Sequence, residues 1–140
     1  MTETQLGFEI KLNADYEQAI EQITVVLKSL GFGILNRLDT HLIFKEKLGV
    51  GFQPYCILDV CNPTLAHRVL THRPEMGLLL PCRITIEEVG SQKTLVRLGR
   101  LDVLVKGLEI GKDPVVRDVS ETITAHLEQL GKILEAQTEA

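Results

Sequence analysis

The run Tyr55-Cys-Ile-Leu-Asp-Val-Cys61 leads straight into Asn62-Pro63, and that junction constrains the chain more than any other feature. Gln53 to Val60 reads as a strand, with Tyr55, Ile57 and Asp59 on one face and Cys56, Leu58 and Val60 on the other. A strand apolar on both faces belongs in the interior of its sheet. Asn62 can cap a helix through its side-chain oxygen, and proline at the first helical position gives up no hydrogen bond that the helix needs. The strand must therefore turn at once into a helix, whose buried side is Leu65, Ala66, Val69 and Leu70 and which Pro74 stops. Beyond it Gly77 to Leu80 is apolar, and Cys82, Ile84, Ile86 and Glu88 share one face of the next strand.

The flanking elements follow from the same reasoning. Leu6, Phe8, Ile10 and Leu12 alternate with polar residues or glycine and predict a half-buried strand. Asn13 or Asp15 caps a helix with its apolar stripe at Tyr16, Ile20, Ile23, Leu27 and Leu30, and Gly31 ends it in the left-handed conformation. Ile34 to Leu38 predicts a short strand. Asp39 or Thr40 then opens a brief helical turn with apolar contacts from Leu42 or Ile43, Phe44 and Leu48, broken at Gly49 and Gly51. Lys45-Glu46-Lys47 reads as a solvated face. Gly90-Ser91 predicts a hairpin turn whose second arm is Thr94 to Leu98. In Leu101 to Leu108 the residues Val103, Leu104 and Val105 favour strand, while Gly107 and the flanking charges permit a loop. Asp113-Pro114 starts a long final helix with a stripe at Val116, Val119, Ile123, Leu127, Leu130 and Leu134, and its tail, Gln137 to Ala140, is expected to fray.

Separate helices beside hairpin-linked strands mean an α+β class, and 140 residues make one domain, 1–140. A net charge of -4 without a Lys/Arg cluster, and an aromatic content of 4%, argue against a nucleic-acid partner. No apolar run is long enough to span a bilayer, so no membrane partner is expected. Three cysteines and a start, MTETQLGFEI, without a secretory pattern point to a reducing, cytoplasmic compartment.

The candidate chemistry lies on Cys61, Cys82 and His67. Cys61 immediately precedes a helix start, where free amides and the helix dipole can lower a thiol pKa and make the sulfur nucleophilic. The competing reading is burial, because free cysteine packs as a small apolar group. Cys82 follows Pro81 at a strand start and is the candidate resolving thiol. His67, about one turn into the helix, can tune Cys61 or ligate a metal or haem iron. Cys56 reads as core. His72 reads as a helix C-terminal cation, and His41 and His126 as surface residues. There is no CxxC pair, nucleophile elbow, phosphate loop or zinc helix, so no metal site is expected and nothing establishes an enzyme.

Gly31-Phe-Gly-Ile-Leu, Lys45-Glu-Lys-Leu-Gly, Tyr55-x-Ile-Leu, Cys61-Asn-Pro-x-Leu-Ala-His67 and Gly77-Leu-Leu-Leu-Pro-Cys82 occur in the order and spacing of a known family. On these residues the chain resembles the bacterial and archaeal domain-of-unknown-function 302 family. The resemblance implies a TBP-like β-α-β(4)-α arrangement, with a curved antiparallel sheet covered on one side by helices, and assembly as a homodimer. It also implies a shared pattern of Cys61, Asn62, Pro63, His67, Pro81 and Cys82. Where members show an Asp-Pro followed by apolar residues, this chain has Leu101-Asp102-Val103. Two functional expectations follow. The first is a thiol-based redox or sulfur-handling protein using Cys61, with a thiol partner protein. The second is a non-enzymatic module for a small ligand or a cofactor such as haem. A purely structural dimer is the plain alternative to both.

Overall fold

The computed structural model describes residues 1–139. The elements are β1 (Thr2–Glu3), β2 (Gly7–Leu12), α1 (Tyr16–Ser29), β3 (Gly33–Asp39), α2 (Thr40–Leu48), β4 (Tyr55–Cys61), α3 (Pro63–His72), β5 (Cys82–Gly90), β6 (Lys93–Gly99), α4 (Leu101–Lys106) and α5 (Pro114–Glu139). Short 3-10 turns lie at Pro74–Leu78 and Glu109–Lys112. The strands form one sheet in the order β1-β2-β6-β5-β4-β3, and every neighbouring pair is antiparallel. Helices and strands are segregated, as the α+β class requires.

Alternation decides which face is covered. Phe8, Ile10 and Leu12 of β2, Val96 and Leu98 of β6, Ile84 and Ile86 of β5, and Cys56, Leu58 and Val60 of β4 are all buried. The helices α1 and α5 lie over this face. All six stripe residues of α5 are buried, as are Tyr16, Ile20, Ile23 and Leu27 of α1. Among the described residues neither α1 nor α5 covers the opposite face, which carries cross-strand ion pairs instead. Arg97 reaches Glu9 at 3.1 Å and Glu87 at 2.9 Å, and Arg83 reaches Asp59 at 3.3 Å. Interior placement holds for β4, between β3 and β5, yet its Tyr55, Ile57 and Asp59 are only half-buried.

The ends of α1 show how sequence becomes structure here. Asp15, not Asn13, is the cap: its side chain accepts from Gln18 N at 2.8 Å, and Gln18 Oε1 accepts from Asp15 N at 3.2 Å. At the far end Gly31 has φ +85, Gly31 N donates to Lys28 O at 3.1 Å and Phe32 N to Leu27 O at 2.9 Å. This is a Schellman motif, and the side chains at its two ends, Leu27 and Phe32, are both buried.

Four expectations require correction. Leu101–Lys106 is helical, neither strand nor loop. Leu101 and Val105, one helical turn apart, are buried beside α5, and this packing outweighs valine's strand preference. The α2 segment is a full nine-residue helix, but none of its residues is buried. Its Phe44 meets Phe52 edge-on at 5.3 Å instead of a core. Third, α5 stays helical through Glu139, where Thr138 Oγ1 accepts from Asn13 N at 2.7 Å, and Ala140 lies outside the described residues. Fourth, His41 and His126 are not free surface residues. His41 Nδ1 accepts from Tyr55 N at 3.0 Å, and the His126 ring meets Phe32 edge-on at 6.0 Å.

Candidate functional site

The Cys61-Asn62-Pro63 corner is built as its composition dictates. Asn62 is extended, with φ -97 and ψ 105, and its Oδ1 accepts from Leu65 N at 3.2 Å, so α3 begins at Pro63. The Asn62 amide also lies against Gly31, where a Cβ would sit 3.2 Å from Nδ2. Cys61 pairs with Gly33 of β3, while Val60 pairs with Cys82 of β5. The two thiols are thus on neighbouring strands one residue out of register. Strand alternation turns them to opposite faces of the sheet. Both are free.

Electrostatics run against the expectation for a helix start. Burial pushes the Cys61 thiol up rather than down. Burial pushes Cys82 up to about 12, and the neighbouring Cys61 adds to the effect. Desolvation disfavours a thiolate in both places, and the cap side chain already takes one of the amides that would stabilise it. His67 is exposed on α3 and makes no hydrogen bond among the described residues. The fold therefore brings Cys61 and Cys82 to adjacent strands and leaves His67 on the solvent side.

His72 stands at the end of α3, as read. Its Nε2 is 2.7 Å from Asp113 Oδ2, which also accepts from Arg73 Nε at 3.0 Å. The other Asp113 oxygen accepts from Val115 N at 2.9 Å and Val116 N at 3.2 Å, so one carboxylate caps α5 and holds the end of α3. These donors hold the Asp113 carboxyl well below the usual range.

Two features were not singled out from sequence. One is a polar knot at the start of α1. Tyr16 donates to Asp39 at 2.8 Å, and Arg37 bridges Asp39 and Glu17 at 3.0 and 2.8 Å. Burial, with Cys56 and Asp39 alongside, pushes the Tyr16 hydroxyl far above its ordinary value. The other is an apolar cleft of about 290 Å³ where β5 begins and β6 ends. Leu79, Leu80, Pro81 and Cys82 form one wall, and Gly99 to Leu101 with Leu104 the other. Leu78, Leu6 and Leu104 stand 89%, 70% and 46% exposed at its mouth. The signal for it was Leu78-Leu79-Leu80, three apolar residues in a row that no single helix or strand face can bury. Leu101 and Leu104, in the segment read as strand or loop, complete it.

Residues 8–136 match the model of a family described as Domain of unknown function DUF302. The chain belongs to the DUF302 family. Among solved structures it is similar to the crystal structure of an uncharacterized conserved protein DUF302 from Bacillus stearothermophilus, with 26% identity and a TM-score of 0.81. That likeness covers 92% of this chain and 98% of the other. No curated protein matches it. Among the described residues of this DUF302 chain, no group of three His, Cys, Asp or Glu side chains is gathered for a metal, and no helix is long and apolar enough to cross a membrane.

Proposed function

We propose that this DUF302 protein is a non-enzymatic binding module for a small apolar ligand, held in the cleft at the Gly77–Cys82 corner. The observation that carries the reading is the leucine-lined cleft itself, with Leu78 and Leu6 exposed at its mouth at 89% and 70%. Large apolar side chains left in water around a concave site are the usual mark of a binding surface. Haem fits less well, because neither His67 nor any other histidine lines the cleft. Titration with 1-octanol, followed by amide NMR, tests the proposal. Shifts confined to Leu78–Arg83 and Gly99–Leu104 are expected, and an unchanged spectrum at millimolar octanol refutes it.

A thiol-based role through Cys61 is supported by its being free and half-buried beside the start of α3. The upward push on both thiols makes this the weaker reading. Three free cysteines also fit a reducing, cytoplasmic setting. A homodimer is supported by the edge strand β3 and the unburied α2, where Leu35, Leu42 and Leu48 are 65%, 57% and 69% exposed. Sedimentation of the wild type against Leu42→Asp tests it: a dimer that the substitution splits is expected, and a wild-type monomer refutes it.

A further inference from the structure

The chemistry of the ligand can be taken one step further, on the premise that the cleft binds a small molecule. Two charged side chains line the cleft, Arg83 and Arg100, and no carboxylate does. Arg100 is fully engaged. It donates from Nε and Nη2 to Asp102 at 3.1 and 2.9 Å, from Nη1 to Glu3, and lies 5.1 Å from the Phe8 ring centroid. Arg83 makes a single contact, Nε to Asp59 at 3.3 Å, and its side chain is 70% exposed. Both of its Nη groups are without a protein partner among the described residues. Asp59 does not line the cleft, and Arg83 stands between the cleft and the neighbouring hollow on the open sheet face.

We propose that the cleft takes an amphiphilic anion, with a carboxylate or phosphate head on the Arg83 Nη groups and an alkyl body along Leu79, Leu80, Leu101 and Leu104. A guanidinium presents paired N–H groups in a fork that matches either head. At about 30 Å³ per water-sized group, the cleft volume of about 290 Å³ holds on the order of ten non-hydrogen atoms, the size of octanoate. Cys82 in the wall carries a neutral thiol and does not repel the anion. Gly99 lets β6 lie close to β5 at this end, since a Cβ there would sit 3.2 Å from Arg83 O.

Calorimetric titration of the full chain at low salt with octanoate, octyl phosphate and 1-octanol tests this. At least one anion is expected to bind roughly tenfold tighter than octanol, the scale of a charge-assisted hydrogen bond. Whichever anion binds tighter identifies the head. In Arg83→Gln that preference should fall close to one, with the amide NMR spectrum of the unliganded variant reporting that its fold is intact, and a preference that survives the substitution overturns the assignment to Arg83. Equal binding of all three ligands by the wild type overturns this inference and leaves the apolar-ligand reading standing. Failure of all three to bind overturns both.

Discussion

Replacing Gly31 with alanine probes the join between the first helix and the candidate corner. The residue sits at φ +85, where an L side chain costs about 1–2 kcal/mol. Alanine also restricts the unfolded chain, which offsets about 0.5 kcal/mol. A Cβ at this position would stand 3.2 Å from Asn62 Nδ2, tighter than an ordinary contact, so the amide that caps α3 must give way. Weakening that cap adds up to about 1 kcal/mol. A net loss of about 1–2 kcal/mol is expected, a fall in Tm of roughly 3–7 °C for a chain of this size. Urea denaturation and thermal melts of Gly31→Ala, Gly31→Asn, Asn62→Ala and the double variant Gly31→Ala with Asn62→Ala separate the two causes. Asparagine tolerates the left-handed conformation but carries the same Cβ, so it should recover only the backbone part. The Asn62→Ala change should cost less in the Gly31→Ala background than in the wild type, because the crowded cap is already weakened. An alanine variant as stable as the wild type, or an asparagine variant no better than alanine, refutes the reasoning.

Leu127 is fully buried under the sheet, and Leu127→Ala is expected to cost about 3 kcal/mol in urea titrations; a loss under 1 kcal/mol would mean that the helix is not seated as described. The depressed Asp113 carboxyl contributes stability that is present above the ordinary aspartate range and is lost as pH falls through its folded value. Asp113→Asn keeps a capping side chain but not the charge, so its melting temperature should fall less steeply than the wild type's below pH 4, and parallel curves contradict the clamp. With both thiols pushed up by burial, Cys61 should react with iodoacetamide at pH 7.5 more slowly than free cysteine, and Cys82 only on unfolding. Faster labelling of Cys61 revives the thiol reading.

Strong local signals carried over to the structure because they act within a few residues. Asn62-Pro63, Asp113-Pro114, Gly31 and the six-residue stripe of α5 each state their own geometry. What was missed depends on partners far away in sequence. Val103 and Val105 look like strand until α5 offers Leu101 and Val105 a surface to pack on. His41 gains its hydrogen bond from Tyr55, and Tyr16 from Asp39, pairings that only the assembled sheet creates. The site was half legible. Cys61 was read at a helix start and Cys82 at a strand start, but that their strands are neighbours and that period two turns the thiols to opposite faces became visible only in the assembled sheet, and the electrostatic pull of a helix start did not reveal how much burial opposes it. The leucines of the cleft come from three separate stretches and could be assembled only in space.

The strand order has a consequence for how the molecule is made. From β3 to β6 each strand pairs with the next one in sequence, a meander that can grow one neighbour at a time at low loop-closure cost. The second strand is different: it is synthesised early, yet its inner partner is β6, the last strand of all. A nascent chain therefore holds β2 paired only with the short β1 until β6 has been made. The pairing of β2 with β6 is the most non-local contact of the sheet, the kind that slows folding, and α5 lies against both strands.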